Sequence, residues 1–130
     1  MKPIYLDYQS TTPTNKIVLE KMIPFFSDIY GNPHSLNHKY GLSANEAVED
    51  GRKKIARAIG SEPEEIIFTS GATESNNLAI KGSFLYRLKN HNRSKIIIAS
   101  TEHKCVLEAV NSLTSVGAEV VVINVNEVGE

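Results

Sequence analysis

The chain has 130 residues, 41% of them hydrophobic, a formal net charge of -1 and one cysteine, enough apolar content for one modest globular domain with a core. The evenly mixed charge excludes the strongly basic face of a nucleic-acid binder. No apolar run approaches the roughly 20 residues that span a bilayer, and one cysteine excludes an internal disulfide framework, so a reducing cytoplasm is the expected compartment, with neither nucleic acid nor membrane as a partner.

The opening Met1-Lys2-Pro3-Ile4-Tyr5-Leu6-Asp7 has no long apolar stretch after its charge and no Arg/Ser-rich amphipathic presequence, so no export is expected. Leu6 to Pro13 is turn-rich, Asn15 to Met22 reads as helix, and Pro24 should break or kink the chain beyond it. Gly31-Asn32-Pro33-His34-Ser35 reads as a loop. A capped helix is predicted from Ser43, with Ser43 and Glu46 at capping-box spacing. Ala44, Ala47, Val48, Ile55, Ala58 and Ile59 would form its inner face, and Gly60 would end it.

Glu65 to Thr69 is predicted as a short strand, Asn76 to Leu88 as a helix carrying Leu78, Leu85 and Tyr86 inward, and Asn90 to Ser94 as a polar loop. Ile96-Ile97-Ile98-Ala99 is apolar on both faces, as suits a strand covered by helices on each side. A third helix, about Lys104 to Ser115, carries Val106, Leu107, Val110 and Leu113; Gly117 closes it before a strand from Glu119 to Val125. Strand, helix, strand, helix, strand is the signature of an α/β parallel sheet with right-handed crossovers. Ligands of such sheets bind beyond the carboxyl ends of the strands, which would place Gly71 to Glu74 and Ser100 to His103 on one crevice, with Thr73 near His103.

Ile66 to Leu78 is the most informative stretch. An apolar run passes through Ser70-Gly71-Ala72-Thr73 into a helix, where free amide N–H groups and the positive dipole end favour an anion such as phosphate. An ordinary strand-to-helix turn would have the same sequence, and the stretch is neither a Walker A loop nor a G-x-G-x-x-G. His103 could stack on a planar ligand or move protons, or be structural; its predicted place beside the phosphate turn favours the functional role. Cys105 sits beside Lys104 at a helix start, where a thiol can become nucleophilic, but it continues an apolar series and reads as a small core residue. His34 and His38 stand at i, i+4, yet Pro33 argues against the helix that would make them ligands, so no metal is expected. Asp7 and Glu74 show no partner for a carboxylate pair.

Four segments, Tyr5 to Pro13, Gly31 to Ser35, Phe68 to Gly82 and Thr101 to Leu107, taken in order, resemble the N-terminal part of cysteine desulfurases of the iron-sulfur-cluster assembly type. The resemblance implies the aminotransferase-type (fold type I) large domain, a three-layer α/β sandwich. Residues 1–42 would be an N-terminal segment with connecting loops, and 43–130 the start of the cofactor-binding domain, together one partial domain. It further implies pyridoxal 5'-phosphate as cofactor, L-cysteine as substrate with alanine as product, an enzyme persulfide, an iron-sulfur scaffold protein as sulfur acceptor, and a homodimer. Ala72 and Thr73 would hold the cofactor phosphate; His103 would stack on the pyridine ring and assist proton transfer. The family's cofactor-bearing lysine, its acidic partner for the pyridine nitrogen and its nucleophilic cysteine fall in later segments, so Lys39, Lys104 and Cys105 are not assigned those roles and the chain alone is expected to be inactive. A non-catalytic remnant or interaction module, or a selenocysteine lyase-like enzyme, are the alternatives.

Overall fold

The computed structural model describes residues 3–129. They form two compact units, one ending at Ile67 and one starting at Phe68.

In the first unit, α1 (Lys16–Met22) begins where the Asn15 side chain accepts the Ile17 N–H at 2.9 Å. It stops at Met22, and Pro24 opens the short α2 (Pro24–Ser27), a position where its missing N–H costs nothing. The long α3 (Lys39–Ile59) starts four residues before the expected Ser43. Its cap is not the Ser43/Glu46 box but His38, whose Nδ1 accepts the Gly41 N–H at 3.1 Å. Gly41 looks like a helix breaker in sequence, but its place in the first turn is set by contact: a Cβ there would collide with the Ser35 carbonyl. Gly31 likewise lies against the Tyr40 carbonyl. Two further bonds tie down the intervening turn: Asn45 Nδ2 donates to the Pro33 carbonyl at 3.2 Å and the His34 N–H donates to Asn32 Oδ1 at 2.9 Å.

Ala44 and Ala56 are buried on α3, while Ile55 and Ile59, expected on the same inner face, are exposed. Gly60, in the left-handed conformation, closes the helix as expected. Arg52 clamps the end of the unit: Nε donates to both carboxylate oxygens of Glu49 and Nη1 to the Ile66 carbonyl. The expected strand from Glu65 to Thr69 does not form. Pro63–Glu65 is a 3₁₀ turn, and Ile66 after it is extended, but among the described residues the run joins no strand ladder.

The second unit contains α4 (Ala72–His91), β1 (Lys95–Ala99), α5 (Lys104–Ser112) and β2 (Glu119–Ile123). The helix α4 begins four residues before the expected Asn76 and continues past Leu88 until Asn92 turns left-handed. After α5, a 3₁₀ turn (Thr114–Val116) and left-handed Gly117 lead into β2, which ends two residues short of Val125. Among the described residues the sheet has two parallel strands, in register from Lys95 with Glu119 to Ala99 with Ile123, where the sequence pattern predicts three. The α5 crossover explains the parallel direction, since a hairpin could not produce it. Phe84, Cys105, Ala109, Val110 and Leu113 form the core where α4 meets α5. Leu78, Leu85 and Tyr86 point outward instead: the apolar residues of α4 are spread around the helix, and Phe84 takes the inner position.

Candidate functional site

The start of α4 is built as an open donor site. Gly71 adopts φ 156°, ψ -175°, a conformation essentially confined to glycine, and caps α4 without a side-chain hydrogen bond. The Ser75 N–H is taken by the Gly71 carbonyl at 3.1 Å. Ahead of it the amides of Ala72 and Thr73 lead the helix, both residues being exposed. Glu74 would compete with an incoming anion if its carboxylate lay over these amides. It folds back instead, Oε2 accepting the Ser70 N–H at 2.6 Å and the Ser70 hydroxyl at 2.7 Å. Those two bonds, the backbone one first, hold the Glu74 carboxyl below the ordinary glutamate range. Thr69 Oγ1 and Ser75 Oγ lie 2.7 Å apart and brace the turn from its other side.

His103 caps α5: its Nδ1 accepts the Cys105 N–H at 3.2 Å and lies 3.0 Å from Cys105 Sγ. With Nδ1 an acceptor, the neutral ring carries its proton on Nε2. His103 as a whole residue is exposed. Asn76, one turn beyond Thr73 on α4, donates from Nδ2 to Cys105 Sγ at 3.1 Å. This side-chain bridge links the first turns of α4 and α5, and sequence reasoning missed Asn76; its place one helical turn after Thr73 was the available signal. Cys105 is buried, and Lys104 pairs with Glu108 at 3.5 Å.

Two cavities lie elsewhere. One of about 400 Å³ sits at the far end of α4 and the start of β1, lined by Ile80, Phe84, Arg87, Arg93 and Lys95 among others. The other, about 310 Å³, is in the first unit around Asp28, Lys39 and Tyr40. His38 is occupied as the α3 cap and His34 precedes that helix, so the two do not share a helical face. Among the described residues no three His, Cys, Asp or Glu side chains group as metal ligands, and no helix is long and apolar enough to cross a membrane.

The profile of the family described as Aminotransferase class-V matches residues 4–130. The chain belongs to that family. Within it, the chain is 52% identical over 130 residues to the mitochondrial cysteine desulfurase of Eremothecium gossypii, covering 98% of this chain and 26% of that protein. It is 51% identical to the mitochondrial cysteine desulfurase of Saccharomyces cerevisiae, with 98% and 25% covered. The cysteine desulfurase IscS of Rickettsia felis is 52% identical over 120 residues, with 91% and 28% covered. Among solved structures, one titled SspA in complex with cysteine superposes with a TM-score of 0.80 at 44% identity, covering 92% of this chain and 33% of that one. A NifS-like protein gives 0.78 at 40%, covering 88% and 30%. The chain thus spans a quarter to a third of the relatives it matches, and it corresponds to the N-terminal portion of class-V cysteine desulfurases.

Proposed function

We propose that these residues supply the phosphate end and one ring face of the pyridoxal-phosphate site of a cysteine desulfurase. The observation that carries the reading is the bridged pair of helix starts. An α4 N-terminus that Gly71 caps without a side-chain hydrogen bond, with the Glu74 carboxylate held on Ser70, is joined through Asn76 and Cys105 to the imidazole that caps α5. The donor set fits a phosphate monoester: two amides, a threonine hydroxyl and the helix dipole oppose its charge, and the one acidic side chain in the first turn has its hydrogen bonds to Ser70.

Ala72 and Thr73 would bind phosphate oxygens through their N–H groups, with the Thr73 hydroxyl as a further donor. His103 would lie on the pyridine ring, its orientation fixed at Nδ1, and hold a proton at Nε2 for transfer to or from substrate. When bound, pyridoxal phosphate supplies the electron sink that lets the carbon–sulfur bond of L-cysteine break to give alanine. The same reading includes a persulfide passed to an iron-sulfur scaffold protein, a homodimer, the three-layer sandwich around β1 and β2, and a reducing compartment such as the cytoplasm. Support for the persulfide, the acceptor, the dimer and the sandwich comes from the 50–52% identity to cysteine desulfurases, those relatives being named mitochondrial, and support for a reducing compartment comes from the single, buried cysteine alone.

A graft tests it. These 130 residues replace the matching segment of the Saccharomyces cerevisiae enzyme. Cofactor absorbance, alanine release from L-cysteine and release from L-selenocysteine are then measured. Cofactor binding with alanine formation, reduced at least tenfold in cofactor affinity by Thr73→Val, is expected. A folded, dimeric graft without cofactor absorbance would refute the reading, and turnover restricted to selenocysteine would correct its substrate.

A further inference from the structure

Three contacts at the start of α5 fix the direction of every hydrogen bond among Asn76, Cys105 and His103. The Cys105 N–H has no choice but to donate, so His103 Nδ1, 3.2 Å away, is unprotonated. The Cys105 Sγ contact to that same nitrogen, at 3.0 Å, then requires the thiol to donate its proton. That leaves sulfur with lone pairs alone toward Asn76, which fixes the carboxamide with Nδ2, not Oδ1, facing Sγ at 3.1 Å. The order Asn76 N–H to sulfur, S–H to imidazole nitrogen is the arrangement in which all three contacts are hydrogen bonds.

From this we infer that Asn76 and Cys105 are positioning residues for His103. Asn76, anchored on α4, orients the Cys105 thiol, and the thiol together with its own backbone N–H holds the imidazole in the Nε2–H tautomer at a fixed angle. The cysteine is a hydrogen-bond relay in this arrangement and not a nucleophile: its proton is directed at Nδ1, and a transfer to that nitrogen would break the α5 cap. Its purpose rests on the cofactor reading above, since a ring that stacks on a pyridine and exchanges protons at Nε2 needs both its plane and its tautomer fixed. The same bridge makes the separation of the α4 and α5 starts depend on two side chains, and with it the distance between the proposed phosphate donors and the proposed ring contact.

The tautomer can be read without cofactor. The chain is labelled with ¹⁵N-histidine, His103 is assigned among the four histidines by His103→Gln, and long-range proton–nitrogen correlations report which ring nitrogen carries the proton. The Nε2–H pattern is expected in the unaltered chain and in Cys105→Ser, whose hydroxyl can also accept from Asn76 and donate to Nδ1. Cys105→Ala should move the tautomer ratio toward Nδ1–H by about fivefold, the weight of one net hydrogen bond. Asn76→Asp, which cannot donate to sulfur, should move it in the same direction, and should have no effect in the Cys105→Ala background.

An Nδ1–H pattern in the unaltered chain overturns the inference, as does a ratio unmoved by Cys105→Ala or an Asn76→Asp effect that persists without the thiol. If Cys105→Ala does not fold, the contrast between Cys105→Ser and Asn76→Asp decides: equal ratios refute the relay. A graft that binds no pyridoxal phosphate defeats the functional reading and leaves the ring placement standing, and an unmoved tautomer in a cofactor-binding graft does the reverse.

Discussion

Gly71 and Gly82 lie one residue before and ten residues into the same helix, and a Cβ added at either would meet nothing within 4 Å. Replacing each with alanine therefore isolates backbone conformation from packing. Gly71 sits at φ 156°, ψ -175°, where an L side chain costs about 1–3 kcal/mol, roughly five- to 150-fold in the folding equilibrium. Gly82 is in the helix interior, where alanine relieves the entropy that glycine loses on folding and adds about 0.5–1 kcal/mol of stability. The two substitutions differ by about 1.5–4 kcal/mol with opposite signs, although both add a single methyl group. With an m-value of about 1.5 kcal/mol per molar urea, the unfolding midpoints of the two variants should be at least about 1 M apart, Gly71→Ala the lower. Circular dichroism in a urea titration measures this. In the graft, Gly71→Ala should also weaken cofactor binding, because any rotation that relieves the strain re-aims the amides of Ala72 and Thr73. A Gly71→Ala variant as stable as the unaltered chain would refute the claim that this turn is held in a glycine-only conformation.

Glu74→Gln should reduce stability at neutral pH. The lowered carboxyl means that the Ser70 bonds stabilise the fold above the ordinary glutamate pKa, and this contribution fades as pH falls through the lowered folded-state value. The difference in urea midpoint between the unaltered chain and Glu74→Gln should therefore be largest at neutral pH and vanish in acid; a gap that widens on acidification would contradict the sign. Val110 is 1% exposed, and Val110→Ala should cost about 2 kcal/mol for the two lost methyl-sized groups and the residual cavity, read by the same titration. Gly41→Ala should cost about 1–3 kcal/mol or more, because the added carbon meets backbone at Ser35 that cannot swing aside. Gly51→Ala on the same α3, where a Cβ meets nothing within 4 Å, is the control and should be neutral or stabilising.

Local chemistry is legible in the sequence wherever a neighbouring residue settles the outcome. Gly60 and Gly117 end their segments in the left-handed conformation, Asn15 caps α1, and the crossover through α5 makes β1 and β2 parallel. The family is legible too, because four motifs stand in order. The expectations that fail depend on partners far along the chain. Ile66 to Thr69 has the residues of a strand, but a ladder needs a second strand, and composition cannot say where one is. Ser43 and Glu46 look like the start of α3 because they stand at capping-box spacing, and the helix begins earlier, running through Gly41. Only the Ser35 carbonyl pressed against it shows why a glycine is tolerated in that first turn. His38 reads as a poor metal ligand and is a helix cap, a role imidazole takes too seldom for spacing alone to suggest it. At the candidate site, Thr73 and His103 are visible as chemistry-bearing types, whereas Asn76 gains a role only from the sulfur it meets across two helices.

The parallel register of β1 and β2 also orders events in time. Every pair, from Lys95 with Glu119 to Ala99 with Ile123, spans all of α5 and the turns on either side of it. No strand pair can zip from a hairpin, so the chain between them must compact before the first ladder bond forms. Helix formation in α5 is local and fast by comparison, and its buried Ala109 and Val110, with Leu113 just beyond, let it dock on α4 and so shorten the loop that the strands must close. Damage to α5 should consequently slow the approach to the native state, while damage to β2 should mainly hasten the departure from it, which makes this one crossover the rate-setting element of its unit.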